Sequence, residues 1–411
     1  MLVESQDILS PELIEDSHEY WAELRAHDPV HWDAAQRAWL LTRYEDVVAG
    51  FTDARLSSNR IRPLLAALPP ARRERIGPML EVMGDWLSVT DAPAHTRLRK
   101  LANSAFRGQQ ITHMADWMSE LVDELLDDFI ASGSTDFVEA LAGPLPATVV
   151  ARMMGAPASD GDLFRKWSDE LALVAFSAGD AATPDRHARA LASVEEMQDY
   201  LRHLIAQRRE KPRDDMISAL LTPTTDGDVL TEAELLSMCT LILFAGHETT
   251  TNLLCNFLVV LEREPHVREQ LLTDPSLINR AIEEVLRYEA PIRIVVRWVA
   301  ETHERGGKTM QAGDRAYLVL HSANRDENVF EDAENFDIQR PAQPSHIAFG
   351  RGAHACLGAQ LARIEARIAL PRILERLPGL RVSGVVRWKP LVAARAVTAL
   401  HVEYDSRKAS S

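Results

Sequence analysis

The chain has 411 residues, 46% of them hydrophobic, and a formal net charge of −16. That acidity excludes a general nucleic-acid binder, which needs a basic face for phosphates, while the apolar content is ample for a large buried core. The three cysteines, Cys239, Cys255 and Cys356, form no C-x-x-C pair, which excludes a disulfide framework or zinc ribbon and suits a reducing cytoplasm.

Met1 to Ser10, with Glu4 and Asp7, has neither the basic start nor the apolar run of a signal peptide. No stretch of about 18 uncharged apolar residues follows, so we expect no membrane anchor and a cytoplasmic protein. An amphipathic helix is expected from Pro11 to Arg25, then a hairpin from Val30 to Trp32 and Ala38 to Thr42, then a helix from Tyr44 to Phe51. Asn59 to Val89 carries Pro63, Pro69, Pro70 and Pro78 and reads as a long irregular loop holding Met83, Trp86 and Leu87. Asp91 is a candidate N-cap for the next helix, with Pro93 in its first turn.

Helical patterns recur over Met114 to Ile130, Phe137 to Met154, Asp160 to Phe176 and Arg186 to Arg209, with a small-residue linker at Ser177 to Pro184 that could serve as a hinge. Thr231 to Glu264 is the longest helical run, opened by a capping box (Thr231, Glu234) and free of proline. At 1.5 Å per residue it spans about 50 Å. A helix follows Asp274 and ends at Tyr288 before Pro291. Residues 292 to 320 alternate as short strands, 321 to 345 are irregular, Leu357 to Leu377 is the last helix, and Leu380 to Tyr404 reads as hairpins. The fold class is mainly α with small β-sheets (α+β), one domain over 1–411, with β-rich stretches near 28–60, 292–320 and 380–404.

Residues 349 to 358 read Phe-Gly-Arg-Gly-Ala-His-Ala-Cys-Leu-Gly. Gly350, Gly352 and Gly358 crowd a loop that ends where the pattern Leu357, Leu361, Ile364, Ile368 begins, so the backbone presents the Cys356 sulfur at a helix N-terminus. Amide N–H groups and the helix dipole there favour a thiolate, and the glycines leave room for a flat, bulky group. One thiolate without a second thiol nearby suits a haem iron better than zinc or an iron–sulfur cluster, which need several ligands. An inert, buried small side chain is the other reading of a lone cysteine.

Inside the long helix, Phe244-Ala-Gly-His-Glu-Thr-Thr-Thr-Asn sets an acid and three hydroxyls after a small pair. Glycine in a helix interior costs about 1 kcal/mol, so Gly246 asks for a local reason, which a flat cofactor and a small ligand would supply. Threonine hydroxyls bonding back to carbonyls, with Glu248 merely solvating the helix, is the alternative account. A zinc-protease reading of His247-Glu248 fails because Thr251 stands where the second histidine belongs.

These two stretches resemble the cytochrome P-450 family, the haem-thiolate monooxygenases. The loop matches the pattern Phe-Gly-x-Gly-x-His-x-Cys-Leu-Gly, and Ala245, Gly246, Glu248 and Thr249 match Ala-Gly-x-Glu/Asp-Thr. The resemblance implies a P-450 fold with the long helix over haem b, Cys356 as iron ligand, and Phe349, Gly358, Ala245 and Gly246 against the cofactor. It implies O2 as co-substrate, with Glu248 and Thr249 delivering protons. His95, Arg99, Arg297 and His354 match positions that clamp the haem propionates. Glu284, Arg287 and Arg340 match a structural charge network, although Glu327 and Ala333 stand where prolines are common. Arg97, Lys100, Arg107, Arg351, Arg363 and Arg367 would form a basic docking face for an acidic ferredoxin or flavodoxin.

By position, the substrate pocket would take Met83, Trp86, Leu87, Leu173, Phe176, Leu241, Phe244, Ile292, Ile294, Val295, Val296, Val392 and Val397. These are apolar, so a lipophilic small molecule is expected, and Arg293 is assigned to solvent. The activity implied is insertion of one oxygen atom from O2 into such a substrate, in secondary metabolism or xenobiotic oxidation. A haem sensor without turnover would keep Cys356 and the propionate clamp but would not need Glu248 beside Thr249. Ring coupling or desaturation on the same fold stays open.

Overall fold

The structure, a computed structural model, describes residues 6–106, 114–177, 185–224 and 226–405. Two helices, α1 (Pro11–Glu15) and α2 (His18–His27), stand where one was expected. Asp16 between them is extended and its carboxylate accepts from the N–H of His18, a local bond that competes with helix propagation. Strands β1 (Val30–Asp33) and β2 (Ala38–Leu41) form the expected hairpin, followed by α3 (Tyr44–Thr52) and β3 (Leu56–Ser57).

The expected irregular loop is instead mostly helix: α4 (Ile61–Ala67) and α5 (Pro70–Gly84), then a 3-10 turn at Leu87–Val89. Pro63 and Pro70 sit in first turns, where the missing N–H costs nothing, and only Pro78 lies in a helix interior. Asp91 does not cap α6 (Ala94–Ala105). Its carboxylate accepts from the Ser57 hydroxyl and the Ser58 N–H, tying the helix entry to β3.

Helix α7 (Ala115–Ser132) leads through a π turn at Val138–Ala142 to α8 (Pro144–Met153), then α9 (Gly161–Ala175), α10 (Arg186–Glu210) and α11 (Met216–Leu221). The linker residues 178 to 184 lie outside the described residues. Helix α12 (Glu232–Arg263) opens on the expected capping box: Thr231 accepts from the Glu234 N–H, and Glu234 accepts from the Thr231 N–H. Leu253 to Leu261 of α12 are buried without a break, because α8, α9, α10 and two later helices pack around it.

After α13 (Pro265–Thr273) and α14 (Ile278–Tyr288) come β4 (Ile294–Val299), β5 (His303–Arg305), β6 (Lys308–Met310) and β7 (Arg315–Val319). The main sheet runs β1-β2-β7-β4-β3, with β2 and β7 parallel, so the two β-rich stretches of the sequence build one sheet. A short helix α15 (Leu320–Ala323) opens the irregular segment, and α16 (Ala359–Arg376) is the last helix. The tail holds only a two-residue pair, β8 (Arg381–Val382) with β9 (Val402–Glu403), and bridges such as Ile292 to Ala394. That bridge brings the tail against β4. Among the described residues, no helix is long and apolar enough to cross a membrane.

Candidate active site

Gly350 and Gly352 take φ of +68° and +70°, a conformation that side chains with a Cβ rarely adopt. This lets the chain fold over itself: the Gly350 N–H bonds to the Ile347 carbonyl at 2.9 Å, and the Cys356 N–H bonds to the Phe349 carbonyl at 2.9 Å. The Cys356 side chain opens onto a cavity of about 510 Å³. Burial pushes its thiol up, and the N–H groups of Gly358 and Ala359, with Arg99 and Arg363, pull it back without cancelling the rise. The N–H groups at the helix start thus act in the direction expected for a thiolate, and a cation bound at the sulfur would add to their pull.

The expected propionate clamp comes together from three elements. His95 of α6 and His354 of the loop stack with ring centroids 3.9 Å apart, and both line the cavity with Arg99 and Arg297. Arg297 of β4 is 3% exposed and makes no hydrogen bond or ion pair among the described residues. Burial pulls it down to about 10, with help from Arg60, which also lines the cavity. Burial, then His95 and Arg297, pull His354 down to about 3. His95 Nε2 is buried with no hydrogen-bond partner among the described residues. Three arginines and two imidazoles, opposed by the single carboxylate of Asp91, which Ser57 and Ser58 already hold, fit a dianion, and the two carboxylates of haem have that charge.

Ala245, Gly246 and Thr249 of α12 line the same cavity. A Cβ on Gly246 would stand 2.6 Å from Val150 Cγ2, so the missing side chain serves the close approach of α8, not only a ligand. The Thr249 hydroxyl donates to the Ala245 carbonyl at 3.0 Å, leaving its lone pairs for a second partner. Glu248 does not line the cavity. It is buried one residue farther round the helix, with Oε1 accepting from Lys389 Nζ at 3.3 Å.

Of the expected pocket residues, Met83, Trp86, Leu87, Phe176, Leu241, Phe244, Ile292, Ile294, Val295, Val296 and Val392 line the cavity. Trp86 stacks on Phe244 at 5.3 Å, and Phe176 tilts against Phe244 at 5.4 Å. Leu173 and Val397 do not line it. The helix phase of α9 turns Val174 and Ala175 inward instead, and Val397 is bridged to Trp388 in the core. Arg293 is not in solvent: it is 2% exposed beside Glu289 and Arg395, and burial pulls it down to about 10.

Glu284 and Arg287 of α14 and Arg340 form the expected network, with Arg340 Nε 3.1 Å from Glu284 Oε1. The basic face is more neutralised than its sequence suggests. Arg97 pairs with Glu234 at 2.8 Å and with Asp228, Lys100 pairs with Asp226, and Arg363 pairs with Glu283 at 2.6 Å. Arg107 lies outside the described residues, and Arg367 is exposed. Sequence reasoning missed Arg60 and Glu365. Glu365 of α16 lines the cavity with both oxygens unpartnered, and its burial raises it well above the carboxylate range. A charged residue in line with Leu361, Ala369 and Leu370, on the otherwise apolar inner face of α16, was the one signal for it.

A family model described as Cytochrome P-450 matches residues 80–380. The chain is 39% identical to cytochrome P-450 107B1 of Saccharopolyspora erythraea over 94% of this chain and 95% of that one. It is 36% identical to the cytochrome P-450 monooxygenase PikC of Streptomyces venezuelae, over 96% and 93%. The solved structure of P-450 BioI with an acyl carrier protein bearing hexadec-9Z-enoic acid superposes with a TM-score of 0.86, at 32% identity, over 96% of this chain and 99% of that one.

Proposed function

The chain belongs to the cytochrome P-450 family, and from that premise we propose that it oxidises a lipophilic small molecule held beneath Trp86, Phe176 and Phe244, as one functional domain. It is a haem-thiolate monooxygenase with haem b as cofactor and O2 as co-substrate. The haem, when bound, supplies the one-electron chemistry and O2 activation that no side chain can perform.

Cys356 is the residue proposed to hold the iron, with Phe349 and Gly358 framing it. His95, Arg99, Arg297 and His354, joined by Arg60, would hold the propionates. The apolar wall excludes water, so that protons arrive only through groups the protein places. Thr249 is the inner proton-bearing group, because its hydroxyl faces the cavity while already donating to Ala245. Glu248 refills it from behind, one residue along the same helix.

The single observation that carries this reading is that Cys356, the histidine and arginine cluster, and Thr249 all line one largely apolar cavity. Electrons are proposed to come from a ferredoxin or flavodoxin docking near the Cys356 loop, where Arg351 and Arg367 are the least neutralised of the expected cations. The lack of a membrane-crossing helix among the described residues and three free cysteines support a cytoplasmic setting.

The test is a spin-state screen of a compound library against the purified haem protein, followed by turnover under 18O2. Lipophilic compounds should shift the Soret band toward high spin, and one should gain a single labelled oxygen. Thr249→Ala should consume NADPH with less product and more peroxide. Saturable shifts by sugars or nucleotides alone would overturn the substrate class. Undiminished coupling in Thr249→Ala would overturn the proton role.

A further inference from the structure

Arg72, Ile76, Leu80 and Met83 of α5 all line the cavity, and their spacing of three and four residues is that of one helix face. Met83 leads to Trp86, which stacks on Phe244, and Phe244 directly precedes the stretch of α12 that carries Ala245, Gly246 and Thr249. At 1.5 Å per residue, Arg72 stands about 16 Å from Met83 along the helix axis. The stripe therefore runs from an aromatic end beside Thr249 to a guanidinium in the first turn of α5. Helix α10 packs against α5, and its first two residues, Arg186 and His187, line the cavity as well. Leu64 of α4, which lines it while 36% exposed, marks where the cavity meets solvent.

Arginine does not lose its proton in a protein, so Arg72 and Arg186 each carry a full positive charge, Arg186 while only 6% exposed. Arg73 and Arg75 stand exposed on the same turns of α5. The nearest acids in sequence, Glu74 and Asp185, are exposed and do not line the cavity. Among the described residues Glu365 is the one carboxylate that does, and it comes from α16, the helix that follows Cys356. A chain of net charge −16 thus sets two guanidinium groups at one end of an apolar space. The haem carboxylates do not account for them, because the cluster of His95, Arg99, Arg297 and His354 is built from α6, β4 and the cysteine loop.

We propose that this end of the cavity is a carboxylate site and that the substrate is an amphipathic acid, an apolar chain ending in a carboxylate. This names the substrate class of the oxidation proposed above and rests on that reading. A carboxylate offers two coplanar oxygens to the fork of a guanidinium, while the apolar face of α5 takes the chain. An arginine has five N–H donors, so each can keep the partners it has and still receive the acid. A span of about 16 Å along α5 takes an extended chain of on the order of a dozen carbons. With its head at Arg72 and Arg186, such a chain lays its other end against Trp86 and Phe244, beside Thr249. A C–H bond near that end becomes C–OH with one oxygen of O2, and the second oxygen leaves as water with two protons and two electrons from the redox partner.

The purified haem protein is titrated with dodecanoate, methyl dodecanoate, dodecanol and dodecylamine, following the Soret spin-state shift at low and high salt. The variants are Arg186→Gln, Arg72→Gln, Arg186→Glu and, as a control on the same helix, Arg202→Gln, whose arginine pairs with Asp199 at the surface. Arg72→Gln carries the test if Arg186→Gln does not hold haem. Dodecanoate should bind about tenfold more tightly than its ester, and high salt should weaken the acid alone. Either glutamine variant should weaken the acid about tenfold and spare the ester and the alcohol. Arg186→Glu should gain the amine, and Arg202→Gln should match the parent. Under 18O2 the label should enter the last few carbons of the chain. Equal affinity for acid and ester in the parent, or equal loss of both in the glutamine variants, overturns the carboxylate site and leaves the oxidation of lipophiles standing. A label beside the carboxylate reverses the placement of the head and also overturns the site. If neither these four compounds nor neutral lipophiles shift the spectrum, the underlying reading fails with it.

Discussion

Arg287 holds Glu284 by two hydrogen bonds, Nε to Oε2 at 2.9 Å and Nη2 to Oε1 at 2.7 Å, with both side chains buried. The remaining donors of Arg287 reach the carbonyls of Asn324, Ala333 and Asn335, and Asn324 Oδ1 accepts from the Ile347 N–H at the start of the cysteine loop. The pair thus fixes the irregular segment that delivers Cys356. Arg287→Leu takes from the buried Glu284 its two-point partner, leaving Arg340 as its cation, and leaves the Asn324 and Ala333 carbonyls without that donor; it should cost about 3–5 kcal/mol, whereas Glu284→Gln with Arg287→Met should cost less. Thermal unfolding measures both. A loss below about 1 kcal/mol for Arg287→Leu would remove the structural role.

Gly246 offers a second test. Gly246→Ala drives a methyl toward Val150 Cγ2, where the ideal Cβ position is 2.6 Å away, and should cost about 1–3 kcal/mol by overpacking. Val150→Ala in the same chain should return part of that loss, a coupling read from a double-mutant cycle. If Val150→Ala gives no relief and only the ligand-induced spectra change, the glycine serves the cavity and not the contact between α8 and α12.

Much of this was legible before any coordinates. The long helix announced itself through its capping box and the lack of proline, and the cysteine loop through glycines that the observed positive φ values require. Residues 61 to 84 were misread because prolines in first turns look like helix breakers in a sequence and are not. Leu173 was one position out of phase, an error that periodicity cannot detect in a helix whose inner face meets a cavity. The direction of Glu248 was hidden because its partner, Lys389, lies 141 residues away. Long-range ion pairs likewise concealed how far Asp226, Asp228, Glu234 and Glu283 quench the basic face.

The propionate cluster predicts a failure of retention. Arg297→Gln removes a buried guanidinium that has no ion pair among the described residues and only the more distant charge of Asp91 to oppose it, and His95→Ala removes an imidazole nitrogen unpartnered among the described residues. A hydrogen bond to a charged group is worth roughly 1.5–3 kcal/mol, so haem transfer to apomyoglobin should speed up by about tenfold to a hundredfold. The apo chains should lose little stability, since these side chains repel one another in the empty protein. Equal destabilisation of apo and haem-bound forms would show that they hold the fold, not the cofactor.

His247 sets an acid limit on the fold. In the folded chain burial pulls it down to about 4, with Arg165 and Lys389 opposing its charge and Glu248 favouring it, while the unfolded chain takes up a proton near the ordinary 6.5. Above pH 6.5 the two states bind equal protons at this site and no stability is lost. Between 6.5 and 4 the unfolded state binds more, so stability falls as pH falls, and the loss levels off below about 4. The span corresponds to about 3 kcal/mol as an order of magnitude. His321, held well below the ordinary range by burial, acts with the same sign. Urea unfolding midpoints across pH 4 to 7, followed by far-ultraviolet circular dichroism, should show a shallower fall for His247→Leu than for the parent, by close to one proton's worth of slope. An unchanged slope would mean that the ring is already charged in the folded protein, and the neutral His247 behind Glu248 would have to be abandoned.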